Sequence, residues 1–174
     1  MRGEKRLRAA RAFTLVEATV SIFIVGVMIV AALSTVGATR LGEYKLAERC
    51  RALPLAQDLL AEVLQQPYED PNGSAVFGVE SGEGTTSRTD FDDVDDYHNW
   101  SASPPQNQDG TDMSDLSGWQ RTVQVSWVNP ANLLQTVGAD QGVKRITVAV
   151  EHDDVPVASV SAFRTSVWPG PGDE

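Results

Sequence analysis

The chain has a single cysteine, Cys50, and only two histidines, His98 and His152, among its 174 residues. One cysteine rules out an internal disulfide bond. Neither histidine has a cysteine or a second histidine near it at the spacing of a zinc site, so we expect both to be surface or packed residues. The sequence also lacks a nucleophile elbow, a phosphate-binding loop and a paired catalytic constellation, which argues against an enzyme.

Basic residues are scarce outside the first twelve positions. The chain has 14 Lys and Arg against 24 Asp and Glu, and its net charge is -10. Residues 1–12 alone carry a net charge of +4, which leaves -14 for the rest of the chain. An acidic body of this kind lacks the clustered Lys and Arg that phosphate binding requires, so we expect no nucleic-acid partner.

The one long apolar run covers residues 13–36 and contains a single charged residue, Glu17. At ~1.5 Å per residue, a helix of this length spans the hydrocarbon core of a bilayer. The run is longer than that of an ordinary secretory signal, and no small-x-small cleavage site follows it cleanly. Because the basic residues precede the run, the positive-inside rule places the N-terminus in the cytoplasm and the remainder outside.

Glu17 is unexpected in a segment that serves only as an anchor. A charge at the bilayer centre costs ~2.5–3.5 kcal/mol on insertion scales, and even near the edge it calls for a reason. We interpret the segment as both a membrane span and an assembly element, with Glu17 in the assembly role. The alternative is that Glu17 lies at the lipid headgroups and only extends its carboxylate to water.

The helical pattern continues over residues 37–66, where charged residues alternate with an apolar face. The spacing of three, four or seven predicts an amphipathic helix with Cys50 as a small hydrophobe on that face. Pro54 predicts a bend, and a following turn cluster predicts an end near Gln66. Glu48 and Arg51 are spaced to pair across one turn. The predicted face consists of Leu46, Cys50, Leu53, Leu60, Val63 and Leu64.

Residues 67–118 form an acidic, loop-rich region. Between Glu69 and Asp115 it contains twelve acidic residues and one basic residue, Arg88. Closely spaced carboxylates on a loop suit Ca²⁺, which takes six to eight oxygen ligands. No EF-hand loop is present, so a solvated acidic loop stays the alternative. The candidate Ca²⁺ ligands are Asp92, Asp93, Asp95 and Asp96.

Residues 119–168 contain three segments in which apolar and polar residues alternate. This alternation predicts β-strands at Trp119–Val128, Val143–Val150 and Val157–Val167, with a hairpin between the last two. An antiparallel sheet packed with one face on the amphipathic helix buries both apolar faces, so the sequence predicts an α+β fold. Residues 169–174 are expected to form a tail.

Some finer features are also expected. We predict short strands at Ala75–Val79 and around Phe91, and an exposed loop over Gln106–Gly118. The tryptophans are more typical of core and interface positions than of a ligand-binding box. They are Trp100, Trp119, Trp127 and Trp168.

The start of the chain resembles a known family. A basic leader that ends in a small residue, followed by Phe13-Thr14-Leu15-Val16-Glu17 at the head of an apolar helix, is similar to the N-terminal signature of type IV prepilins and type II secretion pseudopilins. The match covers roughly residues 8–36. The order of long helix, variable loop and antiparallel sheet fits the pilin-like fold more loosely. Residues 91–98 and the three strands resemble minor pilins of the mannose-sensitive haemagglutinin type and of the I and V types.

The resemblance implies a processing step and an assembly role. A prepilin peptidase would cut between Ala12 and Phe13, and the new amine of Phe13 would be N-methylated. Glu17 would pair with the Phe13 amine of a neighbouring subunit, which lowers the cost of burying both charges and sets an axial register. The family usually has glycine where Ala12 stands, and major pilins commonly have proline where Ser34 stands. Pro54 matches a second kink position of the family.

The sequence therefore predicts a minor pilin or pseudopilin without catalysis of its own, which acts in priming or tip assembly of a type IV pilus or a type II secretion pseudopilus. Its implied partners are a prepilin peptidase, other pilins or pseudopilins packed helix on helix, and an inner-membrane assembly platform. The expected location is the inner membrane, with a cytoplasmic N-terminus and a periplasmic C-terminal domain, and then the fibre. The alternative is a single-pass anchored periplasmic binding module, Ca²⁺-dependent or not, that keeps its N-terminus and tolerates Glu17→Leu.

Overall fold

A computed structural model describes residues 14–73, 76–80, 84 and 87–167, except for the side chain of Leu41. One long α-helix near the N-terminus is followed by two short 3₁₀ turns and an antiparallel β-sheet, which confirms the α+β class. By its internal contacts the chain divides into two compact units, Met1–Lys45 and Leu46–Glu174. The elements are α1 (Leu15–Leu64), the 3₁₀ turns Arg88–Asp90 and Asp95–Tyr97, β1 (Ser101–Ala102), β2 (Trp119–Asn129), β3 (Asn132–Thr136), β4 (Val143–His152) and β5 (Val155–Thr165).

The part of α1 in the first unit is apolar and exposed. By length and composition the helix could cross a membrane. Each of five hydroxyl groups in this part donates a hydrogen bond to a backbone carbonyl oxygen three or four residues earlier, so these donors have protein acceptors in an apolar medium. The five are Thr19, Ser21, Ser34, Thr35 and Thr39. The predicted helix start, Phe13, lies outside the described residues, and the observed end at Leu64 is two residues before Gln66.

The part of α1 in the second unit contributes to the core through a face that overlaps the predicted one only in part. Its fully buried residues are Ala52, Ala56, Leu59 and Val63. The prediction was right for Val63, and Leu60 and Leu64 are partly buried against the core, but Leu46, Cys50 and Leu53 are exposed. Ala52 and Ala56 belong to the buried core cluster although their side chains are small, so they lie on the buried face where the larger residues Leu46, Cys50 and Leu53 do not. Pro54 lies inside the helix, and the bend predicted there stays a prediction.

The three predicted strands are confirmed as β2, β4 and β5. The strand order is β1-β2-β4-β5, and β3 pairs with β2. In the register, Val125 lies opposite Ile146 and Val123 lies opposite Val148, and all four are buried against the helix. The predicted hairpin between β4 and β5 is confirmed. Its turn has positive φ at Asp153 and Asp154, 49° and 62°, which is typical of a two-residue hairpin turn.

The acidic region covers part of the core. Phe91, Val94 and Tyr97 are buried in the same apolar cluster as the helix and the sheet. The strand predicted around Phe91 is wrong, because Phe91 directly follows the first 3₁₀ turn. Residues 76–79 are not in a strand either, and Ala75 lies outside the described residues. The loop predicted over 106–118 is mostly exposed, but Leu116 is buried in the core cluster.

Candidate functional site

Glu17 lies in the first turn of α1, and its side chain is exposed. Its backbone N–H donates to the Thr14 hydroxyl oxygen at 3.2 Å. A carboxylate in the first turn of a helix interacts favourably with the helix dipole. It is the only Asp, Glu, Lys or Arg between Thr14 and Thr39. The predicted processing pair, Ala12 and Phe13, lies outside the described residues.

Lys144 on β4 contacts two of the four predicted Ca²⁺ ligands. Its ammonium donates hydrogen bonds to the Asp95 carboxylate and to the carbonyl oxygen of Tyr68. The Lys144 Nζ atom also lies 4.0 Å from Asp93 Oδ2 and 4.4 Å from the centroid of the Tyr68 ring. Asp93 and Lys144 are each 3% exposed, and Asp95 is 4% exposed. A single protein ammonium therefore lies between these two carboxylates in the interior and compensates one negative charge.

Asp93 is held by backbone hydrogen bonds, and its burial raises its pKa. Its Oδ1 accepts hydrogen bonds from the backbone N–H groups of Asp95 at 2.6 Å and Asp96 at 3.2 Å. Burial, together with the negative charge of Asp95, raises the pKa of Asp93 to about 8, and Lys144 acts in the opposite direction. One ammonium between two buried carboxylates favours keeping a proton on one of them at neutral pH.

Asp92 and Asp96 face other groups. Asp96 Oδ2 accepts the backbone N–H groups of Asp92 at 2.9 Å and Asp93 at 3.1 Å. Asp96 is 1% exposed, and its Oδ1 has no hydrogen-bond partner among the described residues. The Oδ1 atom of Asp92 is likewise buried and accepts no bond there. Burial raises the pKa of both carboxyl groups, and the negative charge of Glu80 raises it further.

The four predicted Ca²⁺ ligands thus separate into two pairs. Within the described ranges, no group of three or more His, Cys, Asp or Glu side chains is arranged to hold a metal ion. The alternative of a solvated acidic loop is wrong for Asp93, Asp95 and Asp96, which are buried. The reason is that Lys144 and a series of backbone N–H groups supply the partners that water supplies in a solvated loop.

Arg88 joins the acidic region to α1. Its Nε lies 2.7 Å from Glu62 Oε1 and its Nη2 lies 3.1 Å from Glu62 Oε2, a two-point ion pair. The guanidinium also lies 4.2 Å from the Trp100 ring centroid. Tyr97 donates its hydroxyl proton to Glu62 at 3.1 Å. This pairing fixes the acidic region against the helix.

Arg121 on β2 is 2% exposed and is held by backbone carbonyl groups. Its Nη1 donates to the carbonyl oxygen of Leu55 at 3.3 Å, and its Nη2 donates to that of Gln106. Burial and the nearby Arg88 charge lower the pKa of Arg121 to about 10. The group therefore stays charged at neutral pH, and its role in this arrangement is to link the helix, the sheet and the loop.

Both histidines are packed, as predicted. His152 Nδ1 lies 2.7 Å from Glu48 Oε1, and the ring is stacked on Trp119 with centroids 4.4 Å apart. His98 Nδ1 accepts the backbone N–H of Val125 at 3.3 Å. Trp119 is buried in the core, as predicted, and Trp168 lies outside the described residues.

Sequence reasoning missed the buried basic residues of the sheet. Each of the three long strands has one basic residue at a position whose alternation points it toward the helix, where an apolar residue is expected. These residues are Arg121, Lys144 and Arg164, and all three are buried. A charge at an inward position of an alternating strand is a usable signal, because a buried charge requires a partner in the fold.

A scan against protein-family models and searches of curated proteins and of solved structures found no match to this chain.

Proposed function

We propose that the chain is a minor pilin or pseudopilin, made as a membrane-anchored precursor and incorporated into a type IV pilus or a type II secretion pseudopilus. The observation that carries this proposal is the position of Glu17, a lone carboxylate in the first turn of an apolar helix that follows a basic segment. A helix that serves only as an anchor has little need of a charge at this point, because the helix dipole favours it only weakly and lipid disfavours it.

The chemistry of assembly follows from the position of that carboxylate. Cleavage after Ala12 by a prepilin peptidase would create an amine on Phe13, four residues before Glu17. In a fibre of packed helices, the Phe13 amine of one subunit and the Glu17 carboxylate of its neighbour would neutralise each other at low dielectric constant. The pair would form at one axial offset only, so it would set the register between subunits.

The two units would then have separate tasks. The exposed apolar part of α1 is covered by lipid in the precursor and by neighbouring helices in the fibre. The unit from Leu46 onward, with its own core of helix and sheet, stays on the periplasmic side. The expected partners are the peptidase, other pilins or pseudopilins and the inner-membrane assembly platform.

The decisive experiment is co-expression of the full precursor with and without a prepilin peptidase, followed by mass spectrometry of the N-terminus. We expect a methylated Phe13 only when the peptidase is present. Ala12→Gly restores the residue usual in the family and is expected to be cut at least as fast. Ala12→Leu is the matched variant that blocks cleavage. An intact Met1 in the presence of an active peptidase, or a cut after Val36, would contradict the proposal.

A second candidate function is an anchored periplasmic module that binds Ca²⁺. The observation that favours it is the pair of buried Oδ1 atoms on Asp92 and Asp96 that accept no hydrogen bond from the described residues. Isothermal titration of the full chain in nonionic detergent with CaCl₂ tests it. Heat that disappears in Asp92→Asn/Asp96→Asn and persists in Asp109→Asn would support it, and no heat above buffer would exclude it.

A further inference from the structure

Arg164 differs from the other two inward basic residues of the sheet. It lies near the end of β5, directly opposite Lys144 in the antiparallel register. Its side chain is 6% exposed, and its Nε and Nη2 atoms are buried without a hydrogen-bond partner among the described residues. Lys144 and Arg121 are also buried, but both donate to protein oxygens, although the Nε of Arg121 is itself without a partner among the described residues.

A buried guanidinium with two unused N–H groups is costly, because each donor has lost its water and gained no acceptor. The carboxylates that lie next to Lys144 do not supply one. Asp93 and Asp95 are both oriented toward Lys144, and no ion pair to Arg164 forms within the described ranges. The position therefore requires an acceptor that these residues do not provide.

Space for such an acceptor exists beside the side chain. A pocket of about 390 Å³ is lined by Leu64, Phe163, Arg164 and Thr165. Two of its walls are apolar, one carries a hydroxyl group, and Arg164 is its one charged residue. The planar N–H fork of an arginine matches the two oxygens of a carboxylate. The apolar walls suit the short aliphatic stem of an aspartate or glutamate side chain.

The charge of the ligand follows from its surroundings. A single guanidinium neutralises one negative charge, and the chain already has a net charge of -10. A phosphate dianion would bring a second negative charge with no second cation in the lining, so a monoanion is favoured. We propose that this pocket is a carboxylate-binding site in which Arg164 binds the side chain of an aspartate or glutamate.

Two sources can supply that carboxylate. One is the chain itself, since Asp173 and Glu174 follow β5 in sequence and lie outside the described residues. The other is an acidic segment of a separate protein. The chemistry at Arg164 is the same for both sources, and neither depends on the assembly role of Glu17.

The test measures thermal unfolding of the full chain in nonionic detergent, with sodium acetate titrated against sodium chloride at equal ionic strength. The variants are Asp173→Asn/Glu174→Gln, Arg164→Met and Arg145→Met. Arg145 is the matched control, because it is an arginine on β4 next to Lys144 that points to the opposite face and lies opposite Phe163 in the register. Acetate is the probe for a single carboxylate.

A saturable acetate effect that depends on Arg164 supports the proposal, and the protein that shows it identifies the source. If a separate protein supplies the carboxylate, the unmodified chain gains roughly 2–4 °C in Tm. If the chain supplies it, the unmodified chain does not respond, whereas Asp173→Asn/Glu174→Gln unfolds at lower temperature and regains a similar amount with acetate. In both cases Arg145→Met should show the same Tm response to acetate as the unmodified chain.

The proposal is overturned if neither the unmodified chain nor Asp173→Asn/Glu174→Gln responds to acetate beyond chloride. It is also overturned if the response survives Arg164→Met. Should Arg164→Met fail to fold, Arg164→Lys retains the charge and loses the fork, and its acetate midpoint is expected to be at least several-fold higher. An unchanged midpoint in Arg164→Lys would count against a guanidinium-carboxylate pair.

Discussion

The two units of the chain treat charge in opposite ways. From Thr14 to Thr39 there is one ionisable carboxylate on an otherwise apolar and exposed helix. In the unit from Leu46 onward, charged side chains are taken into the interior, and most of them are bonded to other protein groups there. The buried set is Arg88, Asp93, Asp95, Asp96, Arg121, Lys144 and Arg164.

This difference between the two units shows whether the partner of a charged side chain lies within the chain or outside it. The charges of the second unit are satisfied largely within the chain, so they act on the stability of that unit. Within the described residues no cation pairs with Glu17, so beyond the helix dipole we expect its contribution to come from another molecule or from the membrane surface. Substitutions in the first unit should therefore affect association, and substitutions in the second unit should affect folding.

The largest effect is expected for Glu17→Leu, which tests the intermolecular side of this contrast. If the chain assembles as proposed, the substitution leaves the amine of Phe13 without its counter-charge, so incorporation into fibres should fall roughly a hundredfold while membrane insertion is retained. The fraction of the protein recovered in sheared fibres measures this. Glu43→Gln, also on α1, is the control and should incorporate normally. Normal incorporation of Glu17→Leu would instead favour the anchored binding module.

The next largest effect is expected for Lys144→Met, which tests the intramolecular side. The variant leaves Asp93 and Asp95 buried without their ammonium, so the free energy of unfolding should fall by about 3–5 kcal/mol. Denaturant unfolding in detergent measures it. Arg145→Met is the neighbouring control on the opposite face and should lie within about 0.5 kcal/mol of the parent. An equal decrease in the free energy of unfolding in both variants would show that the contacts of Lys144 with Asp93 and Asp95 add no stability of their own.

Per pH unit, a smaller effect is the pH dependence that Asp93 imposes on the stability of the second unit. Its pKa is about 8 in the folded chain and about 4 when unfolded, so between these values the folded state holds more protons. The free energy of unfolding should therefore fall as pH rises from about 4 to about 8, by at most about 1.4 kcal/mol per pH unit from this group. Asp93→Asn should flatten the profile over that window. An identical slope in the variant would assign the proton to another group.

The smallest effect is expected for Cys50→Ser. Cys50 is exposed on α1, so the change removes no core packing, and the free energy of unfolding should shift by less than about 0.5 kcal/mol. Ala56→Ser, six residues along the same helix at a buried position, is the matched comparison and should cost more. If Cys50→Ser lowered the free energy of unfolding more than Ala56→Ser, Cys50 would lie on the buried face of the helix, as the sequence predicted.

Local patterns were sufficient to predict most of the fold. The apolar run and its amphipathic continuation correspond to α1, and the three alternating segments correspond to β2, β4 and β5. The burial of one face decides the pattern of the amphipathic part and of the strands, whereas the apolar run was predictable from its length and composition. The short strand β3 was missed, since its five residues are all exposed and show no alternation. The buried helix face was misjudged at Ala52 and Ala56, because a prediction built on large apolar side chains passes over buried alanines.

The charged interior could not be predicted from local patterns. A run of aspartates is typical of solvated loops, and what reverses this for Asp95 is a lysine 49 residues away in sequence. Such a pairing depends on tertiary structure and leaves no trace in the composition of the loop. The positions of Arg121 and Lys144 in alternating strands did indicate that both charges are buried. They showed that each charge needs a partner, but not which residue that partner is.

The hydroxyl groups of α1 have a consequence for any helix placed alongside it. Between Thr19 and Thr39, five hydroxyl donors are already bound to carbonyl oxygens of the same helix. A neighbour that slides along this surface meets dispersion contacts, which form shallow energy minima wherever the side-chain ridges of one helix fit the grooves of the other. If the neighbour has a positive charge, as the proposed assembly requires, the minimum at which that charge reaches Glu17 should be the deepest. The neighbour could then move along the helix and stop at that one position.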